Sequence, residues 1–157
     1  EVFDSVRAAF PGVLGIRLSA TDWVEGGWSP EETLQLCQWL KQAGVNYLHV
    51  SSGGISPKQS IPIGPGYQVQ FAQQVKEATG VPTFAVGLIT DPHQAEAVIA
   101  QGQADAVALG RGLLFNPRWG WAAAAALGGQ VHASPAYWRC LPREAAKAFV
   151  ESRIGMR

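Results

Sequence analysis

The sequence of 157 residues has no apolar run of about 18, the length a membrane-spanning helix requires, and no basic-then-apolar leader. Neither a spanning helix nor a signal peptide is therefore expected. Charge is scarce: charged side chains make up 15% of residues, and 12 basic groups balance 12 acidic ones. Without a net field there is no electrostatic footprint for nucleic acid or an anionic membrane, and neither is expected as a partner. Cysteine is nearly absent as well. Cys37 and Cys140 stand far apart with no CxxC spacing, which argues against a disulfide framework or zinc site and fits a reducing, cytoplasmic setting. His49, His93 and His132 share no spacing and no carboxylate partner, so no metal site is expected.

Apolar residues, by contrast, are plentiful at 47%, enough for one core in a globular domain. Four short runs concentrate them: "GVLGIRLSA" (12–20), "VNYLHVSS" (45–52), "VPTFAVG" (81–87) and "ADAVALG" (104–110). Their lack of polar alternation predicts parallel strands covered on both faces. Helices are punctuated between them. Ser29, Pro30 and Glu32 spell a capping box with proline at the first helical position, ahead of an apolar face of Leu34, Cys37 and Leu40. Asp91-Pro92 and Asn116-Pro117 repeat the cap-then-proline order, and Gly44, Gly80 and Gly102 end helices just before the next strand. "EVFDSVRAAF" reads as a helix already in progress, with Val2, Phe3, Val6, Ala9 and Phe10 on one face, as if the chain began within a longer protein.

Strand and helix in alternation require parallel strands joined by right-handed crossovers. Two α/β architectures fit: an open doubly wound sheet, or half of a (βα)8 TIM barrel. A complete barrel takes about 250 residues, and four parallel strands alone would leave two open edges. In both architectures ligands bind at the carboxyl ends of the strands. Gly110-Arg111-Gly112 falls there, after the fourth run, and Gly87 ends the third. Glycine lets backbone N–H groups approach an anion, and a guanidinium offers a bidentate fork to phosphate oxygens. A phosphate cradle is one reading; a tight turn with a solvated arginine is the other. Arg17, a permanent charge inside an apolar strand, needs either a carboxylate partner or an anionic or electron-rich ligand.

"RLSATDW", "SSGG", "GPGYQVQFA", "FAVGLIT" and "ALGRGLLFNP", in this order and spacing, resemble the carboxyl-terminal half of the Old Yellow Enzyme family. The likeness is greatest to its branch of bacterial NADPH dehydrogenases and xenobiotic reductases, the thermophilic-like ene-reductases, and covers nearly the whole chain. It implies strand-helix units 5 to 8 of a (βα)8 barrel over residues 1–130, with a carboxyl-terminal tail over 131–157. It also implies non-covalent FMN, with Arg17 at the N1/O2 edge of the flavin, Gly110 and Arg111 on its phosphate, and Gly87 nearby. A cation beside N1 would favour the reduced ring by offsetting charge that appears only there. NADPH would be the hydride donor, and activated alkenes, nitro-compounds or quinones the small-molecule acceptors.

The family's other chemical parts belong to its first half, so no catalytic residue is expected in this chain, and the missing amino-terminal half is expected as its partner. Cys37 and Tyr67 are not substitutes for those parts. In the tail, "SPAYWRCLPRE" resembles a segment that reaches an adjacent subunit's active site in a homo-oligomer. Trp138 and Arg139 are the candidates; the alternative is a surface segment packing Tyr137 and Trp138 onto its own barrel. Trp119 and Trp121 are either rim residues of the pocket or packing. Asp22 and Glu25, in the loop after the first run, either touch substrate or cap a turn, and Ser51 and Ser52 close the second run near the expected flavin. Two rival functions stand beside the enzyme: a flavin-free phosphate-binding barrel, and a non-catalytic half-barrel that is a fragment or an assembly module.

Overall fold

The computed structural model describes residues 1–145 and 147–151. Each apolar run supplies one strand: β1 (Gly15–Ser19), β2 (Tyr47–Ser51), β3 (Thr83–Ala85) and β4 (Ala106–Val107). All neighbouring pairs are parallel, in the order β1-β2-β3-β4. Open doubly wound sheets reverse their strand order at a switch point. Among the described strands of this sheet no reversal occurs.

The crossover helices form where their caps predict. In α2 (Pro30–Gln42) the Ser29 hydroxyl accepts from the Glu32 N–H, and the Glu32 carboxylate accepts from the Ser29 N–H at 2.8 Å. α3 (Val69–Thr79) ends on Gly80 in the left-handed region (φ 68°), where a side chain would be strained. Asp91 caps α4 (Pro92–Ala100) by accepting from the Gln94 N–H at 3.0 Å. Asn116-Pro117 does not open the next helix directly. A short helix α5 (Arg111–Phe115) precedes the pair, the Asn116 side chain accepts from the Arg118 N–H in a turn, and α6 (Trp119–Leu127) starts beyond it.

The core lies between the sheet and these helices. Leu48, Val50 and Ala85 from the strands pack with Cys37 and Leu40 of α2, Ala72 and Val75 of α3, and Val98 of α4. Full burial of side chains such as Leu48 and Val50 stabilises the fold by roughly 1.5–3 kcal/mol each. The opposite face corrects the expectation that both faces are covered: Tyr47, His49, Ser51 and Phe84 are half-buried and Arg17 is exposed. Burial thus alternates along β2 and β3, because the crossover helices lie on one side only. An apolar run reports side-chain type and cannot report which neighbours are present.

Two further features concern the ends. Helix α1 (Val2–Ala9) forms as expected, yet buries none of its residues. It is tied down by Arg7, whose guanidinium donates to the Gly12 carbonyl (2.7 Å), the Gly44 carbonyl (3.2 Å) and Asn46 Oδ1 (2.8 Å). The tail folds back on the body. β5 (Val131–Ala133) pairs in parallel with β6 (Phe149–Glu151), and Trp121 of α6 meets Phe149 edge-on at 4.8 Å and Tyr137 at 5.4 Å. Arg118 stacks over Trp121 and Tyr137 at 4.2 and 4.7 Å, geometry that favours a cation–π contact.

The two thiols are chemically distinct. Cys37 is fully buried, and that burial pushes its thiol up to about 11, whereas Cys140 is exposed. Since the thiolate is the reactive form, native protein at neutral pH should react with a thiol reagent at Cys140 only, and at both cysteines once denatured. Two equally fast equivalents from native protein would contradict this core.

Candidate functional site

The carboxyl ends of the parallel strands enclose a cavity of about 330 Å³, with Arg17, Ser51, Gln68, Gly87, Gly110 and Arg111 in its lining. The four residues the sequence singles out as cofactor-binding are therefore brought together. Arg17 comes from the middle of β1, Gly87 follows β3, and Gly110 and Arg111 stand where β4 passes into α5. Gly110 is exposed, and a methyl group added there would meet no other atom within 4 Å, so its backbone is bare toward open space. Arg111 is exposed and begins α5, whose first N–H groups have no acceptor earlier in the helix.

Arg17 has no carboxylate partner among the described residues, where the side-chain ion pair is Lys76 with Asp105. Its neighbour is His49. The register sets Arg17 of β1 opposite His49 of β2, and Arg17 Nη1 lies 3.3 Å from His49 Nε2. A guanidinium has only donors, so His49 Nε2 is the acceptor and its ring proton sits on Nδ1. Burial first, and the Arg17 charge second, hold the imidazole below its ordinary value and favour this neutral form. The sequence marks His49 only as a histidine without metal-ligand spacing; the strand register reveals its pairing with Arg17.

A second set of residues organises the cavity floor. Trp23, in the loop after β1, donates its indole N–H to the Ser52 hydroxyl at 2.9 Å. Ser52 in turn donates to Gln68 Oε1 at 2.8 Å, and Gln68 Nε2 donates to the Val86 carbonyl at 3.3 Å. Three strand-end loops are thereby linked through Gln68, which is only 4% exposed. Gly87 belongs to the same assembly: its φ is 131°, and a Cβ there would lie 3.0 Å from Gln68 Nε2 and 3.2 Å from Gln68 N. The missing side chain at 87 makes room for Gln68, whereas the one at 110 leaves open space. Gln68 was absent from the sequence candidates because nothing in "PGYQV" marks its amide as buried.

The remaining candidates lie elsewhere. Trp138 and Arg139 are exposed and outside the cavity lining, and the Trp138 indole donates to the Ala133 carbonyl at 3.1 Å within the tail. Neither Trp119 nor Trp121 lines the cavity. Trp119 instead supports its lip, donating to the carbonyl of Thr90, a lining residue, at 2.6 Å. Asp22 caps a turn by accepting from the Trp28 N–H at 3.0 Å, and Glu25 is exposed.

The two glycines should respond differently to alanine. Gly87→Ala forces a strained φ against Gln68 and should cost about 1–3 kcal/mol of unfolding free energy, while Gly110→Ala should stay within about 0.5 kcal/mol. Urea denaturation of both variants measures this, and equal midpoints would refute the packing described at position 87.

Residues 1–128 match the NADH:flavin oxidoreductase / NADH oxidase family. Among curated proteins, an NADPH dehydrogenase of Geobacillus thermodenitrificans is 44% identical over 139 residues, which is 88% of this chain and 41% of that protein. An NADPH dehydrogenase of Listeria innocua is 37% identical over the same shares. The chain thus spans about two fifths of the length of the curated relatives it matches. Among solved structures, a 2-naphthoyl-CoA reductase superposes with a TM-score of 0.64 at 24% identity, over 74% of this chain and 19% of its own; that likeness concerns the fold. With four parallel strands in sequential order, a ligand-sized cavity at their carboxyl ends and this extent of sequence identity, the chain belongs to the NADH:flavin oxidoreductase / NADH oxidase family.

Proposed function

We propose that this chain is the second half, units 5 to 8, of a (βα)8 barrel that holds FMN at the carboxyl ends of its strands. The observation that carries the reading is that Arg17 and Arg111, 94 positions apart in the sequence (111 − 17), share one cavity. The residues fit a flavin nucleotide. A guanidinium and a bare glycine backbone at the end of β4 suit a phosphate, and a guanidinium held by a neutral acceptor on β1 suits the electron-rich edge of a ring. The half-exposed sheet face and the unpaired edges of β1 and β4 support a missing amino-terminal half that would pair with and cover them.

When bound, FMN would supply two-electron hydride chemistry between NADPH and an activated alkene, a nitro-compound or a quinone. This chain's own residues bind and orient. Arg111 and the N–H groups about Gly110 anchor the phosphate, and Gly87, positioned by Gln68, lines the wall between. Arg17 places a full positive charge where negative charge accumulates on reduction, which lowers the cost of uptake. Residues that hold and protonate the substrate belong to the missing half. Residues 1–130 form the flavin-binding unit and 131–157 the tail, whose exposed Trp138 and Arg139 meet the active site of an adjacent subunit in a homo-oligomer. The two free thiols favour a cytoplasmic setting.

In the full-length protein, Arg111→Ala should weaken FMN binding by roughly 1.5–3 kcal/mol, the scale of a lost charged hydrogen bond, as read by flavin-fluorescence titration. Arg17→Ala should keep the flavin yet slow its reduction by NADPH in stopped-flow absorbance. Parent-like affinity in the first variant and parent-like reduction in the second would together reject the flavin reading.

A further inference from the structure

The geometry points to His49 as a positioning residue for Arg17, a neutral acceptor that fixes which edge of the guanidinium faces the cavity without cancelling its charge. The inference rests on the flavin reading given above and adds to it a residue for which the sequence alone held no role.

Three observations support it. The parallel register puts His49 directly opposite Arg17, so the two side chains leave the same face of the sheet as neighbours. The contact is directional, with Nη1 3.3 Å from Nε2, and a guanidinium cannot accept from the imidazole. The other side of the His49 ring faces Phe84 of β3, with centroids 6.2 Å apart, and Phe84 itself packs on Tyr47 at 5.3 Å. The imidazole is therefore held between an arginine and an aromatic ring, with Leu48 and Val50 on either side of it in the strand fully buried.

The chemistry of the acceptor matters. A carboxylate at position 49 would orient Arg17 equally well but neutralise it, leaving little charge to act on a bound ring. A charged imidazole would have no lone pair on Nε2 and would repel the guanidinium. A neutral histidine both aims the group and leaves its charge undiminished, the combination that stabilises charge developing nearby.

Two measurements test this, one on the apo chain and one on the flavin-loaded full-length protein. Nitrogen-15 spectra of the histidine side chains at neutral pH, with His49 assigned by its loss in His49→Gln, should show Nδ1 protonated and Nε2 free. Arg17→Met should abolish that tautomer preference. In the loaded protein, His49→Leu should reduce the preference for reduced over oxidised FMN about tenfold, which a two-electron couple registers as a fall of about 30 mV. His49→Asp should lower it at least as far, and His49→Gln, which keeps an acceptor, should stay within about twofold of the parent. Should His49→Leu not fold, the Asp and Gln variants carry the same comparison. A charged ring or an Nε2-protonated tautomer overturns the proposal directly. A potential that moves with Arg17→Met but not with any His49 variant overturns it while leaving the flavin reading intact. A potential indifferent to both residues overturns the two together.

Discussion

Parallel pairing in sequential order is the constraint on which the rest depends. Because β1 to β4 run the same way, all four carboxyl ends emerge on one rim, and the loops after β2, β3 and β4, with Arg17 of β1, line the same cavity. Right-handed crossovers then place α2, α3 and α4 on one side of the sheet. That side becomes the core, and the other keeps Arg17, Tyr47, His49 and Phe84 partly open. A single topological rule thus separates the face that forms the core from the face left partly open.

The two arginines of the cavity are handled in opposite ways. Arg111 is exposed where β4 passes into α5. Arg17 is directed by His49, and its charge is left whole. The Trp23, Ser52 and Gln68 relay ties the loops after β1, β2 and β3 together, so the rim is braced by partly buried hydrogen bonds. Such bonds contribute modestly when made and are costly when broken, which makes the relay a stabiliser of shape more than of the fold as a whole.

Local signals in the chain translate into structure where the determining physics is local. The capping box at Ser29 and Glu32, the Asp91 cap and the left-handed Gly80 depend on residues within a few positions, and they form as the sequence predicts. The turn at Asn116 shows the limit. A cap-then-proline pair can close a turn as readily as it opens a helix, and here it forms the turn between the helix over 111–115 and α6. The strand pairing within the tail went unread for a similar reason: 131–133 and 149–151 carry no shared signal in their sequences.

The sequence by itself determined the strand-helix alternation, the helix caps, the apolar set from which the core is drawn, and the five motifs that mark the family; these reside in residue types and their spacing. Only the tertiary structure decided which face of the sheet is buried, that Gly87 is required by Gln68 rather than by open space, that His49 partners Arg17, and that Arg17 and Arg111 line one cavity. Register across strands and the meeting of distant loops come from packing summed over the whole fold, and no short stretch of chain contains that information.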